Sequence, residues 1–243
     1  MERYERLALV FDSADSELGM AAVRLVQHGL DPLYARDEGE LVLLAREHHN
    51  RVAALVLPGN LSLELVDALL KRVARGLPGG VSSVVLVAPP RRGARLLQLR
   101  DRGIRWVVFA PYDASELRFA VSAALATGDA LEPRRGLRVP IRLPVSVRHS
   151  RATRSGFITN LSIDGAYVAL PDPPEVTAAL SLEFPIGERL LRVQATVVHR
   201  MEGEAPGQAE GQPGFGVEFT GLSALETHLV EGFIRERIDS FRL

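Results

Sequence analysis

Arginine can grip a phosphate through two parallel hydrogen bonds, lay its flat guanidinium on a base, and donate two bonds to the O6/N7 edge of guanine. Just past the midpoint of this chain, Arg134, Arg135 and Arg138 stand close together at a strand-like boundary. Asn160-Leu161-Ser162-Ile163-Asp164-Gly165 follows and brings an amide, a hydroxyl and a residue with no side chain. Asn and Ser supply donors and acceptors. Gly allows close backbone approach. The two groups together offer what a small dianion with flat rings requires.

The arginine spacing alone carries little. Of the 29 Lys+Arg residues, only Lys71 is a lysine. At that density, two arginines four apart should arise about three times by chance. They do, as Arg91 with Arg95, Arg134 with Arg138, and Arg138 with Arg142. The pattern N-x-S-x-x-G is rarer, with an expectation of roughly 0.1 in such a chain. Taken singly, the arginines can be a solvated basic loop and Asn160 to Gly165 an ordinary turn. Their order before and inside strand patterns is what joins them.

Elements must hold these residues in place, and the alternation of residue types predicts two kinds. In the first half, apolar runs alternate with helical spacing. Strands are expected at Leu7 to Phe11, Asp31 to Ala35, Val52 to Leu57, Ser83 to Ala88 and Trp106 to Ala110. Helices are expected at Ser16 to His28, Gly39 to His48, Ser62 to Arg75, Arg92 to Arg102, and from the capping box Asp113-Ala114-Ser115-Glu116 to about Thr127. Five β-α units imply an α/β parallel sheet with helices on both faces. Residues 128–133, polar with Gly and Pro nearby, read as a linker.

Beyond the linker the period becomes two. Strands are expected at Val139 to Val147, Phe157 to Leu161, Ala166 to Leu170, Leu180 to Phe184, Leu190 to His199 and Phe215 to Phe219. Such a series suggests a small antiparallel β-barrel. Met201 to Pro213 reads as a loop, and the capping box Ser223-Ala224-Leu225-Glu226 opens a last helix running toward Phe241.

Composition narrows the function. Hydrophobic residues are 47% and charged residues 24%, ordinary for a globular protein. The net charge of −1 gives no global field for nucleic acid, so none is expected as a direct partner. No apolar run approaches a membrane span. The start, Met1-Glu2-Arg3-Tyr4-Glu5-Arg6, lacks signal-peptide character. Cys is absent, which removes thiolate chemistry and Cys-ligated zinc. None of the six His pair at helical ligand spacing, and neither a metal nor another cofactor is expected. There is no Gly-rich phosphate loop and no GxSxG elbow, so an enzyme is not expected.

RxxxR followed by NxSxxG resembles the signature pair of the PilZ domain, and Gly214-Phe215-Gly216-Val217-Glu218-Phe219 resembles that family's last strand. The resemblance implies a bacterial cytoplasmic receptor for cyclic di-GMP over residues 134–243. It places Arg134, Arg135, Arg138, Asn160, Ser162 and Gly165 on the ligand, and motility regulation is among the outputs typical of the family.

Residues 1–127 resemble a response-regulator receiver, most closely at Ala110-Pro111-Tyr112-Asp113-Ala114-Ser115-Glu116-Leu117. Phosphorylation would need a carboxylate nucleophile, carboxylates for a metal and a cation. Asp12 is followed by Ser13, no Asp or Glu occurs from Arg51 to Leu63, and Ala88 and Ala110 stand where a hydroxyl and a lysine are usual. This half reads as a pseudo-receiver, a scaffold for a protein partner or for a homodimer. The alternative is a PilZ-type interaction module that binds no nucleotide.

Overall fold

Leu7–Phe11 has no polar face to give to water, and the molecule buries all five residues as β1, in the middle of a parallel sheet. The computed structural model describes residues 6–12, 31–77, 79–89, 94–125, 137–201 and 213–243. The chain divides into two compact units, Met1–Leu131 with Phe241–Leu243, and Glu132–Ser240.

The first unit has five parallel strands: β1, β2 (Asp31–Ala35), β3 (Val52–Pro58), β4 (Val84–Ala88) and β5 (Trp106–Phe109). Their order, β2-β1-β3-β4-β5, is the flavodoxin-like arrangement. Every residue of β3 is buried, as a strand covered on both faces requires. The described helices are α1 (Glu38–Glu47), α2 (Leu63–Arg72), α3 (Ala94–Asp101) and α4 (Ala114–Leu125). The expected helix Ser16 to His28 lies outside the described residues.

Local chemistry sets the helix starts. Asp37 and Ser62 accept bonds from Glu40 N–H and Leu65 N–H as N-caps of α1 and α2. Asp113 accepts from Glu116 N–H at 3.0 Å while the Glu116 carboxylate accepts from Asp113 N–H at 3.2 Å, the reciprocal box expected at α4. Helix α2 stops three residues short of the expected Arg75, and Ala74–Gly76 tightens into a 3₁₀ turn.

Strand period governs the second unit. Its strands are β6 (Val139–His149), β7 (Ala152–Leu161), β8 (Gly165–Ala169), β9 (Ala179–Ile186), β10 (Arg189–Met201) and β11 (Gly214–Thr220). They close into a barrel in the order β10-β11-β8-β7-β6-β9, all neighbours antiparallel. Leu180, Leu182, Phe184 and Ile186 alternate inward along β9, and Leu191, Val193, Ala195 and Val197 along β10. Gly187 turns the β9–β10 hairpin at φ +58°, where a side chain would be strained. The α/β sheet followed by an antiparallel barrel and a terminal helix is therefore as expected.

That helix, α5 (Ala224–Asp239), opens on the complete Ser223–Glu226 box and rests on β6 and β9. Val230, Ile234 and Ile238 form its buried stripe. Ser223 N–H and its hydroxyl both bond Glu226 and hold that carboxyl below its usual range.

The last helix was expected to run toward Phe241; it ends at Asp239, and after a turn at Ser240 and Phe241 the final residues belong to the first unit. Trp106 pairs with Arg242 in antiparallel sense. Val107 N–H donates to Phe241 C=O at 2.9 Å, and Leu243 N–H to Arg105 C=O at 3.0 Å. Phe-Arg-Leu alternates apolar and polar, so Phe241 and Leu243 turn inward while Arg242 stays out. Satisfying the open edge of β5 decides against further helix.

Candidate ligand-binding site

The register of the first two barrel strands sets the site. Val139 lies opposite Leu161 and Pro140 opposite Asn160. Arg138 is exposed and immediately precedes Val139, the residue paired with Leu161, so the antiparallel register, carried one residue further, runs toward Ser162. Arg138 and the Asn160–Ser162 segment therefore lie toward one end of the β6–β7 pair. Arg134 and Arg135 lie outside the described residues.

Asn160 is half-buried and lies opposite Tyr167 of β8. Because Leu161 and Ala166 are an inward pair, Asn160 and Tyr167 are on the outer barrel face. The row continues to Gly216 of β11 and His199 of β10. A parallel row runs Phe157, Ala169, Gly214, Met201. Two glycines thus leave β11 without side chains in the middle of this surface. A Cβ on Gly214 would come within 3.0 Å of the Tyr167 ring and hydroxyl, so the phenol lies over bare backbone. Burial pushes the Tyr167 hydroxyl pKa up from its ordinary value.

Ser162 does more than alternate with Leu161. It is buried, its N–H donates to Gly165 C=O at 2.8 Å, and its hydroxyl donates to the same oxygen at 3.1 Å. The side chain closes the turn and keeps acceptor capacity. Gly165 is required by the neighbouring strand rather than by its backbone angles. A Cβ there would stand 2.1 Å from Val217 C=O, so its missing side chain lets β8 meet β11.

Two further groups frame the surface and were not singled out from sequence for this role. Arg142 lays its guanidinium 4.6 Å from the centre of the Phe157 ring. Arg237 of α5 donates from Nε to Pro140 C=O at 2.8 Å, bracing β6 two residues past Arg138. Alternation could have exposed Tyr167 and Phe157 as outward residues. Nothing in the sequence signals the Arg237 bond, which spans 97 residues.

The strand ends of the first unit are built differently. Gly59 follows β3, its N–H donates to Val87 C=O at 2.8 Å, and a Cβ on it would sit 2.7 Å from the Ala88 Cβ. Arg95 donates from Nε to Gly59 C=O at 3.1 Å, with its Nη2 buried and lacking a partner among the described residues. Among the described residues no three His, Cys, Asp or Glu are grouped to hold a metal ion. Asp15, Arg91 and Arg92 lie outside the described residues. No described helix is long and apolar enough to cross a membrane.

Residues 132–236 match the family model described as PilZ domain. No match is found among curated proteins. Among solved structures, the chain is similar to the Bacillus subtilis inhibitor of motility MotI/DgrA, at 20% identity and TM-score 0.37, covering 45% of this chain and 53% of that one. It is similar to the PilZ domain of Escherichia coli YcgR with c-di-GMP, at 15% identity and TM-score 0.36, covering 45% of this chain and 97% of that one. Borreliella burgdorferi PlzA in complex with c-di-GMP gives 14% identity and TM-score 0.31, covering 51% of this chain and 50% of that one. The match to MotI thus spans about half the length of each protein.

Proposed function

Residues 132–236 are a PilZ domain, and from that premise we propose that this chain is a non-enzymatic receptor for cyclic di-GMP. The observation that supports the reading is the pairing of Val139 with Leu161 and Pro140 with Asn160, a register that carries Arg138 toward the Asn160–Ser162 segment. Arg138, with Arg134 and Arg135 before it, takes the phosphates and the guanine O6/N7 edges. The Asn160 amide completes hydrogen bonds from the other side, and Ser162 accepts while it holds the turn. Gly165 keeps the turn against β11. The bare Gly216 backbone leaves room for a flat ring beside Tyr167, whose phenol covers Gly214.

The first unit then serves as a non-phosphorylatable scaffold that presents the bound state to a protein partner. Gly59 beneath an arginine, in place of a carboxylate, supports that role. For such a relay, the two states of the partner surface must differ in their affinity for the nucleotide.

Calorimetric titration of the full chain with cyclic di-GMP tests the proposal. Saturable binding between micromolar and tens of nanomolar is expected, about −8 to −10 kcal/mol. Absence of heat and of any thermal shift at saturating nucleotide would leave the domain as an interaction module without nucleotide.

A further inference from the structure

The edge strand β5 carries an inference independent of the nucleotide. An open strand edge presents unpaired N–H and C=O groups and invites another strand. In this molecule three residues occupy it. Phe241–Leu243 makes the two backbone bonds to Arg105 and Val107. The Phe241 ring packs 4.9 Å from the Phe119 ring of α4, and only 3% of the residue is exposed. Leu243 packs against the hydrophobic core of the sheet. Arg242, on the opposite face, sets its guanidinium 5.7 Å from the Trp106 ring centre. Backbone pairing supplies attachment, and alternating side-chain positions supply selectivity, which is the logic of strand addition.

We propose that the β5 edge, with Phe119 and Trp106, is a peptide-binding slot for an aromatic–cation–aliphatic segment that leaves a turn and bridges the strand at its cation. It is filled here by Phe241–Leu243 of the same chain, and it takes the same segment from a second copy when its own is withdrawn. The seated segment itself identifies the occupant: a second copy offers identical chemistry to an identical slot. The segment is short and is held to β5 by these two backbone bonds, so it exchanges as a unit. While tethered it competes at an effective concentration of the order of millimolar, which keeps the slot closed to added chains at micromolar levels.

Trp106 is the only tryptophan, so its emission reads the slot directly. The full chain carrying Phe241→Ala is titrated with a synthetic peptide of residues 238–243, Ile-Asp-Ser-Phe-Arg-Leu. A saturable emission change is expected for the variant. No change is expected for the intact chain at the same micromolar peptide, nor for the variant with a peptide bearing Ala in place of Phe. A folded variant that ignores the peptide, or an intact chain that responds equally, overturns the proposal.

Should the variant fail to fold, hydrogen exchange on the intact chain decides. The Val107 amide should exchange at least tenfold faster than the buried β3 amides through opening of the segment alone. Exchange at the global unfolding rate overturns the proposal.

Discussion

The carboxyl ends of the parallel strands and the β7–β8 turn of the barrel are both places where their folds could support chemistry, and they are built in opposite ways. At the end of β3, Gly59 is pressed against Ala88, and its carbonyl is covered by Arg95. At the end of β7, Asn160 remains half-buried on the outer face, with the exposed Arg138 just ahead of the paired Val139. One end has been packed shut; the other has kept polar groups within reach of solvent. A retained fold says little about a retained activity, because chemistry belongs to the site and not to the sheet or barrel beneath it.

The largest effect should come from adding one carbon to the open site. Gly165→Ala drives a Cβ toward Val217 C=O and should cost about 3 kcal/mol or more, read as a fall in thermal midpoint. A variant as stable as the parent would mean that the β8–β11 approach does not depend on glycine.

Arg138→Ala separates binding from folding. Losing one charged two-bond contact should cost about 2 kcal/mol and weaken cyclic di-GMP by well over tenfold, with the melting curve unmoved. Unchanged calorimetric affinity would remove Arg138 from the site and blur the contrast between the two regions.

The closed end can be challenged by restoring an acid. Gly59→Asp should not permit labelling by acetyl phosphate, and its Cβ against Ala88 should destabilise by about 1–2 kcal/mol. Radiolabel on the variant would count against the non-phosphorylatable scaffold proposed for the first unit.

The smallest effect concerns pH. The Glu226 carboxyl is held below its usual range by Ser223, so its contribution is present above the unfolded pKa and is lost as pH falls through the folded one. Glu226→Gln should remove that acid-side loss while leaving cyclic di-GMP binding alone. Equal pH–stability curves for variant and parent would exclude the cap as its origin.

Much of this frame is legible in the residues. The buried strands β1 and β3 are continuous apolar runs, and the boxes Asp113–Glu116 and Ser223–Glu226 mark helix starts by hydrogen-bond chemistry that is local. The closed end of β3 is legible as missing acids. What is not legible depends on distant partners. The approach to Phe241 reads as the end of a helix, and nothing local shows that the β5 edge offers residues 241–243 bonds. Alternation sends the Ser162 side chain outward with Asn160, but the turn claims its hydroxyl for Gly165 C=O. Gly165 looks like a turn residue, and only the approach of Val217 reveals its constraint.

Arg237 gives the barrel an anchor. Its bond to Pro140 C=O pins β6 from behind, two residues past Arg138. The consequence is a division of labour along β6: the strand from Pro140 onward is held by the terminal helix, and Arg138 lies outside the held part.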